Sequence, residues 1–157
     1  MQTTLRPYDP NTDYARIREF LIDTFTLYQK PFNWLIDRWN FCRYCVIPIH
    51  NYYNVRYFGV PTRPMHHFRD ELPYWEKTIG VWENEDGAIV GVVHSENEDA
   101  GEAWTQIHPD YTALYDEMVT YAEAHLADRI DDVAFVKLYV NDGSELEEVA
   151  RARGYNK

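Results

Sequence analysis

Residues 78–140 constrain the fold most, because strand-like and helix-like patterns alternate there with clear boundaries. The pattern predicts, in order, strand Thr78–Trp82, a hairpin turn at Glu83–Gly87, strands Ala88–His94 and Glu102–His108, helix Tyr111–Ala127 and strand Val133–Val140. Because the last run is almost continuously apolar, we expect it to be buried on both faces at the centre of a sheet. Residues 102–140 have the length of a strand–helix–strand crossover.

Helical patterns lie on both sides of this stretch. A first helix is predicted to be capped by Thr12 or Asp13, and its apolar stripe consists of Tyr14, Ile17, Leu21 and Phe25. Asn33 is predicted to cap a second helix. A last helix is predicted to begin at Asp142 or Ser144. Together with the strands, these helices indicate a mixed α/β domain.

Residues 30–76 form an aromatic-rich segment that five prolines interrupt, and we expect it to be an irregular insertion. Two interpretations stay open for its rings. They line a substrate pocket that includes Trp34, Trp39, Tyr52 and Tyr57, or they pack as a core between the first helices and the sheet. The histidines and the two cysteines of this segment lack the spacing of a zinc site, so no metal is expected.

Charge limits the classes of partner. The 157 residues include 15 basic and 26 acidic side chains, which gives a net charge of −11. Such a charge repels phosphate backbones and anionic lipid, so neither nucleic acid nor a membrane surface is an expected partner. It suits a small amine substrate, or only a solvated acidic surface. With no signal-like or spanning apolar run, a single cytoplasmic domain over residues 1–157 is the expectation.

The order of elements resembles the GCN5-related N-acetyltransferase (GNAT) family over nearly the whole chain. The matching phrases are Leu5-Arg6-Pro7-Tyr8-Asp9, Ile79-Gly80-Val81-Trp82, Ile89-Val90-Gly91-Val92-Val93, Ile107-His108-Pro109-Asp110-Tyr111, Leu138-Tyr139-Val140 and Arg153-Gly154-Tyr155. The resemblance implies a GNAT-like fold, with a mixed central sheet flanked by helices and with acetyl-CoA as cofactor. It implies cofactor contacts at the Ile107 backbone and at Asp110, Tyr111 and Thr112. The catalytic candidates are Glu102 and His108, the latter as a base or only as a cap of the strand edge.

Three departures from the family pattern bear on activity. The cofactor loop of the family contains glycines and an arginine that bind a pyrophosphate, whereas this chain has Thr112-Ala113-Leu114-Tyr115-Asp116-Glu117 there. Ala150 stands where the resemblance places a tyrosine general acid. The closing C-terminal strands of the family are missing after Gly154-Tyr155.

Three hypotheses follow from the resemblance and these departures. The first is that the chain is the cofactor-poor half of an acetyl-CoA-dependent N-acetyltransferase, resembling the degenerate first domain of a tandem-domain member, with a second GNAT domain or a homodimer partner. The second is a stand-alone N-acetyltransferase with a non-standard cofactor loop. The third is a non-enzymatic domain that binds a small ligand or peptide in its aromatic groove.

Overall fold

The computed structural model describes residues 2–43, 75–96 and 101–157. Its strands are β1 (Thr3–Pro7), β2 (Gly80–Asn84), β3 (Ile89–His94), β4 (Glu102–Ile107), β5 (Asp128–Ile130), β6 (Val133–Phe135) and β7 (Lys137–Leu138). Its helices are α1 (Asp13–Tyr28), α2 (Ile36–Phe41), α3 (Tyr115–His125) and α4 (Glu145–Ala152). None of the described helices is long and apolar enough to cross a membrane.

Five of the strands form one sheet in the order β1-β2-β3-β4-β7. The first four are antiparallel neighbours, and β7 runs parallel to β4. The parallel pair is short, since Glu102 lies opposite Lys137 and Ala103 opposite Leu138. Beyond Ala103 the two chain segments separate, and this separation creates the cleft described below.

Side chains alternate between two core layers along the strands, as a pleated sheet requires. Val81 and Val92 face α1 and α2, whereas their neighbours Trp82 and Val93 face α3. The layer on the α1 side also contains Ile17, Leu21, Trp34, Trp39 and Trp75. The layer on the α3 side also contains Ile107, Tyr115, Met118, Ala122 and Leu146. A mixed α/β domain with a mixed central sheet flanked by helices is thereby confirmed.

The predicted strand Val133–Val140 is wrong. This run is divided between β6 and β7, and β6 pairs only with β5, in a separate hairpin. Asp131 and Asp132 make the hairpin turn with φ angles of 48° and 65°, a left-handed conformation that aspartate tolerates better than most residues. As a result Val133 is 68% exposed, and β7 lies at one end of the described sheet rather than at its centre.

Several helix predictions also need correction. Asn33 does not cap α2, because Leu35 occupies the N-cap position. Phe25 is exposed rather than part of the buried stripe of α1. The predicted helix Tyr111–Ala127 consists of a 3-10 turn, Pro109–Leu114, followed by α3. The prediction for Ser144 is confirmed, since its hydroxyl accepts a hydrogen bond from the Glu147 N–H at 3.2 Å at the start of α4.

Candidate functional site

A cleft of about 530 Å³ lies where β4 and the segment after β7 separate. The chain between α1 and α2 forms one side of it, with Asn33 and Trp34. Trp104, Thr105 and Gln106 of β4 form the floor. Tyr139 and the following residues form the opposite side. Its size falls in the range of small-molecule sites.

Asn33 bonds the edge of β4 in the manner of a neighbouring strand. Its Nδ2 donates to the Ile107 carbonyl at 2.8 Å, and its Oδ1 accepts from the Ile107 N–H at 3.0 Å. Both residues are buried, at 8% and 0% exposed. The Ile107 backbone, predicted from the resemblance to contact a cofactor, is therefore already hydrogen-bonded, and a ligand that used it would first have to displace Asn33.

The next residue continues this attachment through a buried polar chain. The Trp34 N–H donates to Gln106 Oε1 at 2.7 Å, and Gln106 Nε2 lies 3.0 Å from His94 Nε2. His94 Nδ1 lies 3.0 Å from the Ser95 carbonyl, which can only accept, so Nδ1 carries the proton and Nε2 accepts from Gln106. His94 is fully buried, and this burial lowers its pKa to about 4 although the Ser95 carbonyl opposes the shift. His94 is thus a neutral structural group rather than a base open to the cleft.

Two stacked aromatic rings and a guanidinium group line the cleft. Trp104 and Tyr139, neighbours across the diverging strands, stack with centroids 3.9 Å apart and planes 2° from parallel. The Arg38 guanidinium carbon lies 4.2 Å from the Trp104 ring and 4.5 Å from the Trp34 ring. Glu96 Oε1 accepts from Arg38 Nε at 2.7 Å, which neutralises the charge. The rings of Trp34, Trp104 and Tyr139 thus line the cleft beside a guanidinium that is already paired.

The two catalytic candidates, Glu102 and His108, are far apart. Glu102 begins β4 and is buried, where it accepts a hydrogen bond from the Glu96 N–H at 2.6 Å. His108 follows the end of β4, and its Nδ1 accepts from the Asp110 N–H at 3.2 Å, so it caps the 3-10 turn. Six residues of extended strand place the two about 20 Å apart. They do not form one site.

The predicted cofactor contacts are also divided. Asp110 and Tyr111 line a second cleft of about 620 Å³, on the other side of the β4 terminus, together with the carboxylates of Glu19, Asp23 and Asp86. Thr112 is half-buried in the 3-10 turn. Ile107, by contrast, is bonded to Asn33 at the first cleft. The structure therefore does not bring the four predicted residues to one cleft.

The structure describes two of the four residues that were predicted to line an aromatic pocket. Trp34 lines the first cleft, whereas Trp39 is fully buried between Tyr14, Trp75 and His94 and belongs to the core. Tyr52 and Tyr57, like most of the segment 30–76, lie outside the described residues. Within the described ranges, no group of three or more His, Cys, Asp or Glu side chains is arranged to hold a metal ion.

Asn33, Gln106 and His94 were not predicted from the sequence to be site residues. His94 carried a usable signal, because it is a polar residue at the end of the otherwise apolar strand β3. Gln106 did not stand out in the same way, because β4 also contains Glu102 and Thr105. Asn33 carried none, since its partner Ile107 is 74 residues away. Comparison of the chain with family models gives no match, and comparison with curated proteins gives none either.

Proposed function

We propose that this chain is a GNAT-like domain that does not load acetyl-CoA itself and serves as the cofactor-poor half of an acetyl-CoA-dependent N-acetyltransferase. The single observation that carries the proposal is the double hydrogen bond between Asn33 and the Ile107 backbone. In the resemblance, that part of β4 contacts the cofactor arm. Here a buried side chain of the same protein takes those hydrogen bonds.

The sheet supports the family part of the proposal. Four antiparallel strands followed by one parallel strand, with β4 and β7 separating after a short pair, agree with the order that the resemblance requires. Helices α1 and α2 pack on one face and α3 on the other. The fold alone does not fix activity, so the cofactor-free role depends on the chemistry of the residues at the cleft.

The residues at the start of α3 do not suit a pyrophosphate site. In place of glycines the turn carries Tyr115, buried in the core, and the carboxylates Asp116 and Glu117. Asp116 accepts from Arg153 at 2.7 Å, and Glu117 accepts from the Trp82 indole at 2.9 Å. The negative charges of these carboxylates stabilise the positive N-terminal end of the helix, but they would repel a diphosphate bound at the same place.

The general-acid position supports the same conclusion. Ala150 is buried in α4 and offers no proton. The nearby phenol of Tyr155 donates to Glu123 at 3.0 Å, and burial raises the pKa of Tyr155 to about 12. We therefore infer that the domain shapes or supports the acceptor site of a catalytic partner, which is a second GNAT-like domain or a second copy of the chain.

Isothermal calorimetry with acetyl-CoA tests this function. We expect no saturable heat for the wild-type chain at about millimolar cofactor, a concentration that detects binding free energies of about −4 kcal/mol or better. The Asn33→Ala variant should also show none, because the α3 carboxylates remain. Saturable binding by the wild-type chain at micromolar cofactor would instead favour a stand-alone N-acetyltransferase with a non-standard loop.

A further inference from the structure

The tip of the β5–β6 hairpin presents two apolar side chains to solvent. Ile130 and Val133 are directly opposite each other across the turn, so their side chains lie on the same face of the hairpin. They are 63% and 68% exposed, the highest values among the large apolar residues that the structure describes. The turn between them consists of two exposed aspartates, Asp131 and Asp132. The tip is therefore apolar and negatively charged at once.

The base of the hairpin, by contrast, is packed on the domain. Phe135 lies on the same face as Val133, two residues further along β6. Its ring covers Gly101, where a Cβ would lie 2.5 Å from Cε2 of Phe135. Gly101 also has a φ of 74°, a conformation that glycine adopts readily. Because the base is fixed in this way, the exposed tip has a defined position relative to the sheet.

A groove of about 590 Å³, here called the α4 groove, lies between the segment of β7 and α4. Its apolar lining consists of Val136, Leu138, Val140, Ala150 and Tyr155. Neither Ile130 nor Val133 is among the described residues that line this groove in their own chain. The groove is thus an apolar surface that the nearby hairpin tip does not fill.

The charges around the α4 groove are opposite to those of the tip. Its lining includes three cations, Lys137, Arg151 and Lys157, and one carboxylate, that of Glu147. Glu147 pairs with Arg151 at 2.7 Å and with Lys157 at 2.8 Å. Positive charge therefore exceeds negative charge here, on a chain whose net charge is −11. Such a groove favours a partner that carries carboxylates beside apolar side chains.

We propose that two copies of this chain associate by exchanging hairpin tips. Ile130 and Val133 of each copy enter the α4 groove of the other, and the turn aspartates lie near its cations. In a two-fold dimer each copy provides one tip and accepts one. Val133 and Val136 are three residues apart, so the tip and the groove are neighbours and the two contacts form one interface. The inference names the second copy, one of the two partners that the proposed function allows, and does not depend on the absence of cofactor binding.

Sedimentation velocity measures the association. Between about 10 μM and 1 mM, the wild-type chain should convert from monomer to dimer as its concentration rises. Ile130→Ser should raise the dimer Kd at least about tenfold, because each dimer loses two buried isoleucine side chains. Ile22→Ser is the matched control, since Ile22 is 39% exposed on α1, and it should leave the Kd unchanged. A wild-type chain that stays monomeric throughout, or equal Kd values for the two variants, overturns the proposal.

An exchange of charges tests whether the tip meets the groove. Asp132→Lys and Arg151→Glu each place like charges in both contacts of the dimer, and each should raise the Kd about tenfold. A mixture of the two variants restores opposite charges in both contacts. Heterodimers should therefore form at a concentration where neither variant associates alone. If Arg151→Glu does not fold, Lys157→Glu takes its place. A mixture that associates no better than its components contradicts the proposal.

Calorimetry with acetyl-CoA on the same samples separates this inference from the proposed function. Dimers that do not bind acetyl-CoA support both. Dimers that bind it support the exchange of tips and contradict the cofactor-free role. A monomer that does not bind it contradicts the exchange and supports the cofactor-free role with a second domain as partner. A monomer that binds it contradicts both.

Discussion

The carboxamide of Asn33 bonds the N–H and the C=O of Ile107 at once, at 3.0 Å and 2.8 Å, in a place where both residues are buried. The chain between α1 and α2 is thereby attached to the free edge of β4. This attachment lies at one end of the cleft that Trp104 and Thr105 line. The stability of the domain and the access to its cleft thus depend on the same side chain.

Replacing Asn33 should destabilise the fold strongly. Asn33→Ala leaves a buried donor and a buried acceptor of Ile107 unpaired, and we expect a loss of about 2–4 kcal/mol in the free energy of unfolding. Urea denaturation followed by circular dichroism measures it. Asn141→Ala is a suitable control, because Asn141 is exposed and its single bond to the Phe32 carbonyl is long, at 3.5 Å. Equal losses in both variants would show that the Asn33 contact contributes little.

His94 should make stability depend on pH in a defined window. Its folded-state pKa of about 4 lies below the ordinary value of 6.5, so the unfolded chain takes up the proton first as pH falls. Stability from this group is full above about pH 6.5 and is lost progressively down to about pH 4, by about 3 kcal/mol in total. The measurement is the free energy of unfolding at several pH values in the wild type and in His94→Gln.

The non-titrating variant should show a smaller decrease between neutral pH and pH 4. Protonation of His94 would also turn Nε2 into a donor, which opposes the Gln106 amide and weakens the hold on Trp34. The prediction fails if the two proteins lose stability in parallel over this range.

Gly80 lies too close to an aromatic ring to accept a side chain. A Cβ at this position would lie 2.7 Å from Cζ of Tyr121, whereas a Cβ at Gly91 would meet its nearest atoms at an ordinary 3.5 Å. Gly80→Ala should therefore cost about 1–3 kcal/mol, and Gly91→Ala much less. Thermal melts of the two variants make the comparison. If Gly91→Ala proves the more destabilising, the packing of α3 on β2 differs from that described.

Asp13 is buried at the start of α1 and pairs with Arg6 at 2.5 Å and with Arg16 at 3.2 Å. Its carboxylate also accepts from the Asp9 N–H at 2.7 Å. Asp13→Ala should cost about 3–5 kcal/mol, because it breaks a buried ion pair and leaves that N–H unpaired. Asp23→Asn, at an exposed position of the same helix, is the control and should change stability by less than about 0.5 kcal/mol. Chemical denaturation of both variants decides.

Local patterns predicted the strands β2, β3 and β4 to within two residues, because each alternates or ends at a turn. They failed over residues 133–140, where the left-handed turn at Asp131 and Asp132 allows a hairpin that divides the apolar run. An apolar run by itself does not distinguish a central strand from two short ones.

The site was less predictable than the fold. Asparagine is a typical helix cap, yet the side chain of Asn33 hydrogen-bonds the backbone of a strand that is distant in the sequence. The stack of Trp104 on Tyr139 depends on which strands are neighbours and on their register. Such long-range pairings leave no periodic trace in one sequence. The family resemblance indicated the region around Ile107 as a cofactor contact. It did not indicate that the Asn33 side chain bonds the Ile107 backbone.

A proton–nitrogen correlation titration of the wild-type chain with acetyl-CoA tests most directly whether Asn33 keeps the cofactor from β4, with the Ile107 backbone amide and the Asn33 side-chain amide observed. We expect both signals to stay in place up to about millimolar cofactor, because Asn33 remains bonded to the Ile107 backbone. Saturable shifts of both signals, which would mean that the cofactor displaces Asn33 from Ile107, would contradict this prediction.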